Sequence, residues 1–276
     1  MPLRALPLLL ALVIAAACGE AAAGPTPDRP DPLAGNYLAL SAESAVPLAT
    51  ELVTAFSALH PGMTWTVRDV GSSAVLALIK SGDADAGFIS REPSITERND
   101  TLIIGLGFTP QVIVVNSANP VTDLSAAQLR GIFGGTITDW AAVSGTPGPI
   151  RVFIRPESSP TRIALDPLLV PPGATYAKAA VSVPDAPAML AVVAAVPGAI
   201  GIVSALNLGI EPTSPRPIAV AGVAPSRVNT ASGTYPYRRP LYLVSRHPGP
   251  LGRAGAMAFR DFVHGEDGQK ILRAHF

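Results

Sequence analysis

Short apolar segments alternate with helical segments in the first third of the chain, and this order restricts the fold more than any other feature. Residues 37–40, 64–69 and 84–89 have the patterns of strands, whereas residues 44–59 and 71–82 carry apolar side chains at helical spacing. Strands and helices that alternate in this way predict a parallel sheet flanked by helices. The sequence therefore predicts an α/β fold whose ligands bind at the carboxyl ends of the strands.

Polar residues follow each of the three predicted strands. Ser44 comes after the first strand, Ser72 after the second, and Ser90 with Arg91 after the third. Because the carboxyl ends of parallel strands meet at one edge of a sheet, we expect these side chains to face a common cleft. Ser44 and Ser72 also stand where helices begin, so a structural role as helix N-caps remains open for both.

A third polar cluster follows a strand predicted at residues 150–154. The strand ends at Arg155, and the turn that follows supplies Ser159 and Thr161 before a helix begins. A guanidinium group, hydroxyls and the N-terminus of a helix all favour a bound oxyanion. The same pattern is also typical of a solvated turn in which a hydroxyl caps the helix. The rest of the chain has to distinguish these two roles.

Two extended segments are suited to crossing between separate parts of the fold. Residues 102–115 form a long apolar stretch interrupted by Gly105, Gly107 and Pro110, and residues 240–244 form a shorter one. The periodicity of the remaining chain predicts further helices and strands. These are helices at residues 123–133, with a capping box between Ser125 and Gln128, at residues 186–196 and 255–274, and in a segment ending before Pro171, and strands near residues 200–203 and 217–220.

Composition excludes several classes of function. The 276 residues suffice for two lobes with separate cores, and a formal net charge of zero gives no reason to expect a nucleic-acid partner. The four histidines show no spacing typical of metal ligands, and no combination of serine, histidine and acid suggests a catalytic triad. We therefore expect neither a metal nor a cofactor, and a binding protein rather than an enzyme.

The N-terminus has the features of an export signal. Arg4 precedes an apolar run at residues 6–17, and three alanines lead into Cys18, the only cysteine of the chain. This resembles a bacterial lipobox, so we expect a signal peptide at residues 1–18 and lipidation of Cys18; cleavage of an ordinary signal nearby is the alternative. Residues 19–36 are small and rich in proline, as in a flexible tether. We expect an exported protein anchored to the membrane by lipid.

Several segments, taken together and in order, resemble the phosphate-binding proteins of ABC transporters, in the type II periplasmic binding protein class. The segment GSSAVLALIKSGDADAGFISRE resembles that family's helix opening and the strand that follows, and RPESSPTR matches the register of its anion-binding loop. Similar matches occur at residues 124–140, 197–204, 234–244 and 258–272. The resemblance covers nearly all of residues 37–274.

The resemblance implies an α/β, two-lobed type II periplasmic binding protein fold, with mixed, mostly parallel sheets joined by two crossing strands. Lobe 1 would comprise residues 37–112 and 241–276, and lobe 2 would comprise residues 113–240. Carried over position by position, the expected ligand-binding residues are Ser44, Ser72, Ser90, Arg91, Arg155, Ser159 and Thr161. For Arg91 two roles stay open, a second cation of the site or only an ion-pair partner in the cleft.

The implied function is capture of phosphate or a related oxyanion by a monomeric, lipid-anchored protein in the periplasm or on the outer cell surface, for delivery to an ABC transporter permease. Two departures from the family's pattern favour an alternative. Glu43 places an acceptor-only carboxylate in the first loop, and Pro160 removes a backbone donor from the anion-binding loop. The alternative is an envelope sensor or interaction protein that keeps the fold but has lost high-affinity phosphate binding.

Overall fold

The first three strands lie side by side in parallel, as the alternation of strands and helices predicts. The computed structural model describes residues 31–208, 215–247 and 253–276. In it β1 (Gly35–Ser41) pairs in parallel with both β2 (Met63–Asp69) and β3 (Ala86–Ile89). The last residues of β1 and β2, Ser41 and Asp69, are directly paired. The carboxyl ends of the three strands therefore form one edge, and the loops that follow them meet there.

Helices cover the faces of these strands. A short 3-10 helix at Glu43–Ala45 leads into α1 (Val46–Leu59), and α2 (Ser72–Ser81) follows β2. Helix α2 ends at Gly82, which has a φ of 89°, a left-handed conformation that glycine adopts without steric cost. Helix α3 (Ile95–Asp100) is an element that periodicity does not predict, because it buries no side chain.

The long strand β4 (Leu102–Val115) connects two halves of the sheet, which confirms the prediction of a crossing segment there. Its first part pairs antiparallel with β11 (Arg238–Ser245), and its last five residues pair antiparallel with β8 (Ala199–Ser204). Strand β11 also pairs antiparallel with β3. The two crossing strands thus lie next to each other in the centre of the sheet.

The second half of the sheet is built around β8. Strand β6 (Arg151–Ile154) pairs in parallel with β8 and with β7 (Val181–Ser182). The remaining elements are β5 (Asp123–Leu124), α4 (Ala126–Gly134), α5 (Pro160–Leu169), α6 (Ala186–Ala195), β9 (Arg216–Pro217), β10 (Ala219–Val220) and α7 (Arg227–Ser232). The predicted helix at residues 123–133 begins three residues late, because its first two residues pair with β10 instead. The capping box of Ser125 and Gln128 is present.

Separate hydrophobic cores lie on the two halves. Within the compact unit Pro32–Phe276, the sheet order is β2–β1–β3–β11–β4–β8–β6–β7, with β9 beside β4. The core of the first half contains Phe56, Phe88 and Phe259, which are almost completely buried. The core of the second half is packed around Phe133 and Tyr235. This is a two-lobed α/β fold, as the sequence predicts.

The C-terminal segment corrects one expectation. The sequence predicts a single helix at residues 255–274, whereas the chain forms α8 (Ala254–His264) and α9 (Glu266–His275) with a break at Gly265. Gly265 is extended, with ψ at 175°, and a side chain at Gly268 would come within 2.4 Å of the Phe262 carbonyl oxygen. The break therefore lets the two helices cross at close range while the apolar periodicity continues through it.

Predictions for the N-terminus fall largely outside the described residues. The expected signal peptide, the lipidation site Cys18 and most of the tether at residues 19–36 precede residue 31, and β1 already begins at Gly35. In the part of the chain that the structure describes, no helix combines the length and hydrophobicity needed to cross a bilayer.

Candidate functional site

A cavity of about 710 Å³ lies between the loops that follow β1–β3 and the turn that follows β6. Five of the residues predicted from the sequence line this cavity. They are Ser72, Ser90, Arg91, Arg155 and Ser159. The wall between them includes the start of β11, where Arg238, Arg239 and Pro240 lie. The volume is within the usual range for small-molecule sites in proteins.

The serines at the strand ends form a chain of hydrogen bonds. Ser44 is buried behind the cavity wall, and its hydroxyl donates to Ser90 Oγ at 3.3 Å. The Ser90 N–H donates to Ser72 Oγ at 3.2 Å. Because Ser90 Oγ and Ser72 Oγ are acceptors in these bonds, each hydroxyl proton remains available to a ligand. Helix α2 holds Ser72 at its first position, where further backbone N–H groups are free of helical partners.

Arg155 is buried and paired with a carboxylate from the opposite lobe. Its side chain is 5% exposed, and Nη2 donates to Glu43 Oε2 at 2.7 Å and to the Pro184 carbonyl at 2.9 Å. Its Nε is buried and finds no hydrogen-bond partner among the described residues. The other oxygen of Glu43, Oε1, accepts the backbone N–H of Ala186 at 2.9 Å. The carboxylate of Glu43 therefore reaches across the cleft.

Arg239 is a second buried arginine that lines the cavity, and it is not among the residues predicted from the sequence. It is 2% exposed, and its Nη2 donates to Ser44 Oγ. Its Nε and Nη1 are buried without a partner, and within the described ranges no carboxylate forms an ion pair with it. Burial lowers the pKa of Arg239 to about 10; the negative charge of Glu43 opposes this shift and the positive charge of Arg155 adds to it. Two adjacent arginines at the start of a predicted crossing strand are the signal that could have identified it.

Ser159 and Thr161 differ although only one residue separates them. Ser159 is the N-cap residue of α5 and is 5% exposed, and its hydroxyl is buried with no partner in the described part of the chain. Thr161 lies in the first turn of α5 and faces a small cavity of the second lobe that Phe133 and Tyr176 also line. The structure therefore brings Ser159 to the cleft and leaves Thr161 behind it.

Arg91 lies at the rim of the cavity with its charge already neutralised. Its Nη1 and Nη2 donate to the two carboxylate oxygens of Glu97 at 2.9 and 2.7 Å. These hydrogen bonds raise the pKa of Arg91 and lower the pKa of Glu97 to about 2. Because both ends of the guanidinium fork are occupied, Arg91 has little capacity left to bind an external anion.

The comparisons with known proteins agree with this geometry. A family model described as the PBP superfamily domain matches residues 26–267. The chain belongs to the PBP superfamily. The phosphate-binding protein PstS of Bacillus subtilis (strain 168) is 28% identical over an alignment that covers 95% of this chain and 87% of that protein. The predicted resemblance to phosphate-binding proteins of ABC transporters is thereby confirmed.

Solved structures of other PBP-type proteins show the same fold. An ABC-type phosphate transport receptor from Vibrio cholerae superposes with a TM-score of 0.67 at 29% identity, covering 87% of this chain and 98% of the other. A Clostridium perfringens chain, provisionally assigned as a phosphate ABC transporter substrate-binding protein and solved with bound phosphate, gives a TM-score of 0.76 at 22% identity, with the same coverage. These relatives are binding proteins, in agreement with the prediction that this chain is not an enzyme.

The unsatisfied groups of this PBP-superfamily protein define the chemistry of its cleft. Arg155 Nε and Arg239 Nε and Nη1 are donors with no capacity to accept, and the Ser159 hydroxyl can donate as well. The described residues contain no group of three or more side chains suited to hold a metal ion. An acceptor-rich anion is the ligand that satisfies such a set of donors.

Proposed function

We propose that this protein is an extracytoplasmic solute-binding protein that captures phosphate or a related small oxyanion and delivers it to an ABC transporter. The observation that supports the proposal most directly is a set of buried donors around a single cavity that have no partner among the described residues. They are Arg155 Nε, Ser159 Oγ and Arg239 Nε and Nη1. Leaving buried donors unpaired costs free energy, about 1–3 kcal/mol for each group. A bound oxyanion removes this cost at several positions at once.

The proposed ligand contacts come from both lobes. Ser72 and Ser90 offer hydroxyl protons from the first lobe, Arg155 and Ser159 contribute from the second, and Arg239 does so from the crossing strand β11. The names of the similar proteins, which refer to phosphate binding and to phosphate transport, support the same class of ligand. A tetrahedral anion accepts hydrogen bonds in several directions, as this arrangement requires.

We further propose that the two lobes close over the anion by a hinge motion at the crossing strands. In this proposal lobe 1 comprises residues 37–112 and 241–276 and lobe 2 comprises residues 113–240. The adjacent strands β4 and β11 are the connection between the two cores, which makes them the natural hinge. Delivery by a monomer that Cys18 anchors to the membrane completes the proposed function.

Isothermal titration of the full chain in detergent, with phosphate, sulfate and methylphosphonate as separate probes, tests the ligand class. We expect heat of binding with at least one of the three at neutral pH. Arg155→Ala should abolish this binding, because it removes the guanidinium of the second lobe and also leaves the carboxylate of Glu43 unpaired beside the anion. Arg151→Ala is the matched control, since Arg151 is an exposed arginine at the other end of the same strand. Absence of heat with all three anions would contradict the proposal.

One observation favours the alternative function. The pairing of Arg155 with Glu43 neutralises the arginine that the family's anion loop supplies. If the chain is an envelope sensor or interaction protein, no oxyanion should bind at millimolar concentration. Chemical cross-linking in intact envelopes distinguishes the two functions, because a permease subunit should be the cross-linked partner only of a transport protein.

A further inference from the structure

Among the ion pairs of the described residues, the pair of Glu43 with Arg155 is the only one that joins an acidic side chain of the first lobe to a basic side chain of the second. Glu43 lies in the 3-10 helix after β1. Its two partners are Arg155, which follows β6, and Ala186, which begins α6. The pairs are 112 and 143 residues apart in sequence. The side chain is only 22% exposed, so this carboxylate bridges the lobes from inside the cleft.

The groups that hold Glu43 are those that would hold an external oxyanion. Arg155 Nη2 donates to one oxygen at 2.7 Å, and the first N–H of the ten-residue helix α6 donates to the other at 2.9 Å. A guanidinium group and a helix N-terminus are standard donors to phosphate and carboxylate ligands. Glu43 therefore occupies one part of the donor set, while Arg155 Nε, Ser159 Oγ and Arg239 Nε and Nη1 have no hydrogen-bond partner among the described residues.

We propose that Glu43 is an internal ligand of the cleft, which holds the two lobes together without solute and weakens the binding of an external oxyanion. The inference rests on the proposed function, because it assumes that oxyanions bind in this cleft. The carboxylate takes Arg155 Nη2 and the Ala186 N–H for itself, and its negative charge repels a second anion at the remaining donors. Glu43 thus sets the affinity of the site.

This role differs from that of a carboxylate that accepts a proton from the bound anion. Such a carboxylate directs an oxygen lone pair at the ligand, and its removal weakens binding. Both oxygens of Glu43 already accept hydrogen bonds from the protein. Its removal should therefore strengthen binding, and the sign of the effect separates the two roles.

The first part of the experiment requires no solute. Hydrogen–deuterium exchange of the full chain should show that the Ala186 amide exchanges faster in Glu43→Ser than in the unaltered protein, by about tenfold, because the side chain that accepts its N–H is gone. Glu43→Gln should change this exchange much less, since an amide oxygen can still accept the bond. Equal exchange in the unaltered protein and Glu43→Ser would overturn the proposal.

The second part is titration of the same proteins with inorganic phosphate. Glu43→Gln removes the charge at constant shape, and we expect it to bind phosphate about tenfold more tightly than the unaltered protein. Glu157→Gln is the control, because it removes the same charge from a glutamate that is 90% exposed and lies in the turn after β6. It should leave the affinity unchanged. Weaker binding by Glu43→Gln would overturn the inference but leave the proposed function standing. Absence of binding by every variant would instead contradict the proposed function.

Discussion

The two buried arginines of the cleft lie in similar surroundings but differ in their counter-ions. Arg155 comes from the second lobe and forms an ion pair of 2.7 Å with Glu43, whereas Arg239 comes from the crossing strand, and its side chain donates only to the Ser44 hydroxyl among the residues that the structure describes. Both side chains are at most 5% exposed. A buried charge without an opposite charge is expensive, so we expect Arg239, but not Arg155, to destabilise the ligand-free protein.

If the cleft binds an oxyanion as proposed, the difference between the two arginines indicates where the free energy of binding resides. At Arg155 a bound oxyanion has to share the guanidinium with Glu43, so the net gain in electrostatic energy is small. At Arg239 the anion supplies the first opposite charge that contacts this side chain among the described groups. In the proposed function, the cation on β11, which has no ion-pair partner among the described residues, lowers the stability of the ligand-free protein and responds most strongly to the anion.

Replacing each arginine by methionine should give the largest effects. The two replacements should change the free energy of unfolding in opposite directions. Arg239→Met should raise the free energy of unfolding by about 1 kcal/mol, because it removes a buried, unpaired charge. Arg155→Met should lower it by about 2 kcal/mol, because Glu43 is left without its cation. Arg239→Met should also weaken phosphate binding by about 100-fold. Urea unfolding and calorimetric titration measure these changes.

Arg239→Lys is the control for the charge itself, since lysine keeps the positive charge but not the planar fork. Its phosphate affinity should fall between those of the unaltered protein and Arg239→Met. If Arg239→Met lowered stability as much as Arg155→Met, the two arginines would be equivalent structural residues. The difference in their counter-ions would then have no effect on stability.

Elements whose apolar residues recur at helical or strand spacing were predictable from the sequence, and elements that lack such a pattern were not. The alternation over residues 37–89 and the long strand β4 follow directly from the pattern of apolar residues. Helix α3 has no buried residue, and its one sequence signal is the capping box of Ser94 and Glu97. The break at Gly265 was not predicted because the apolar spacing continues through it; its sequence signal is the pair Gly265 and Gly268, where a side chain would meet the end of α8.

The site was predictable only where its residues follow a strand. Ser72, Ser90 and Arg155 were found because loops after parallel strands converge, and Arg155 also lies in a hydroxyl-rich turn. Arg239 begins a strand, and its contact with Ser44 joins residues 195 positions apart. The partner of Glu43 is likewise 112 positions away. Contacts over such distances depend on how the lobes pack, which a single sequence does not encode in its local pattern.

Substitutions at Ser159 and Thr161, both in the second lobe, should differ in their effect on phosphate binding by an intermediate amount. Ser159→Ala should weaken phosphate binding by about tenfold, because its buried hydroxyl is free to donate to a charged ligand. Thr161→Val should leave phosphate binding nearly unchanged, because Thr161 faces the small cavity of the second lobe. Calorimetric titration of both variants measures the difference. An equal loss in the two would place Thr161 in the site beside Ser159.

Arg91 extends the comparison to a third arginine and should show the smallest effect on binding. Since Glu97 occupies both ends of its fork, Arg91→Gln should change phosphate affinity by less than about threefold. A tenfold loss would show that Arg91 leaves Glu97 to bind the anion. In its contribution to anion binding, Arg91 would then resemble Arg239 rather than Arg155.

The Arg91–Glu97 pair should instead appear in the pH dependence of stability. The pKa of Glu97 is lowered to about 2 in the folded protein, so the pair stabilises the fold above the ordinary glutamate pKa near 4.5 and loses this contribution as the pH falls toward 2. Glu97→Gln keeps an N3 side chain that can complete the capping box and should cost about 1 kcal/mol at pH 7, after allowance for solvent screening. Urea unfolding of both proteins should show this difference shrinking steadily from pH 5 to pH 3. A difference that stayed constant over this interval would show that the charge of Glu97 does not contribute to it.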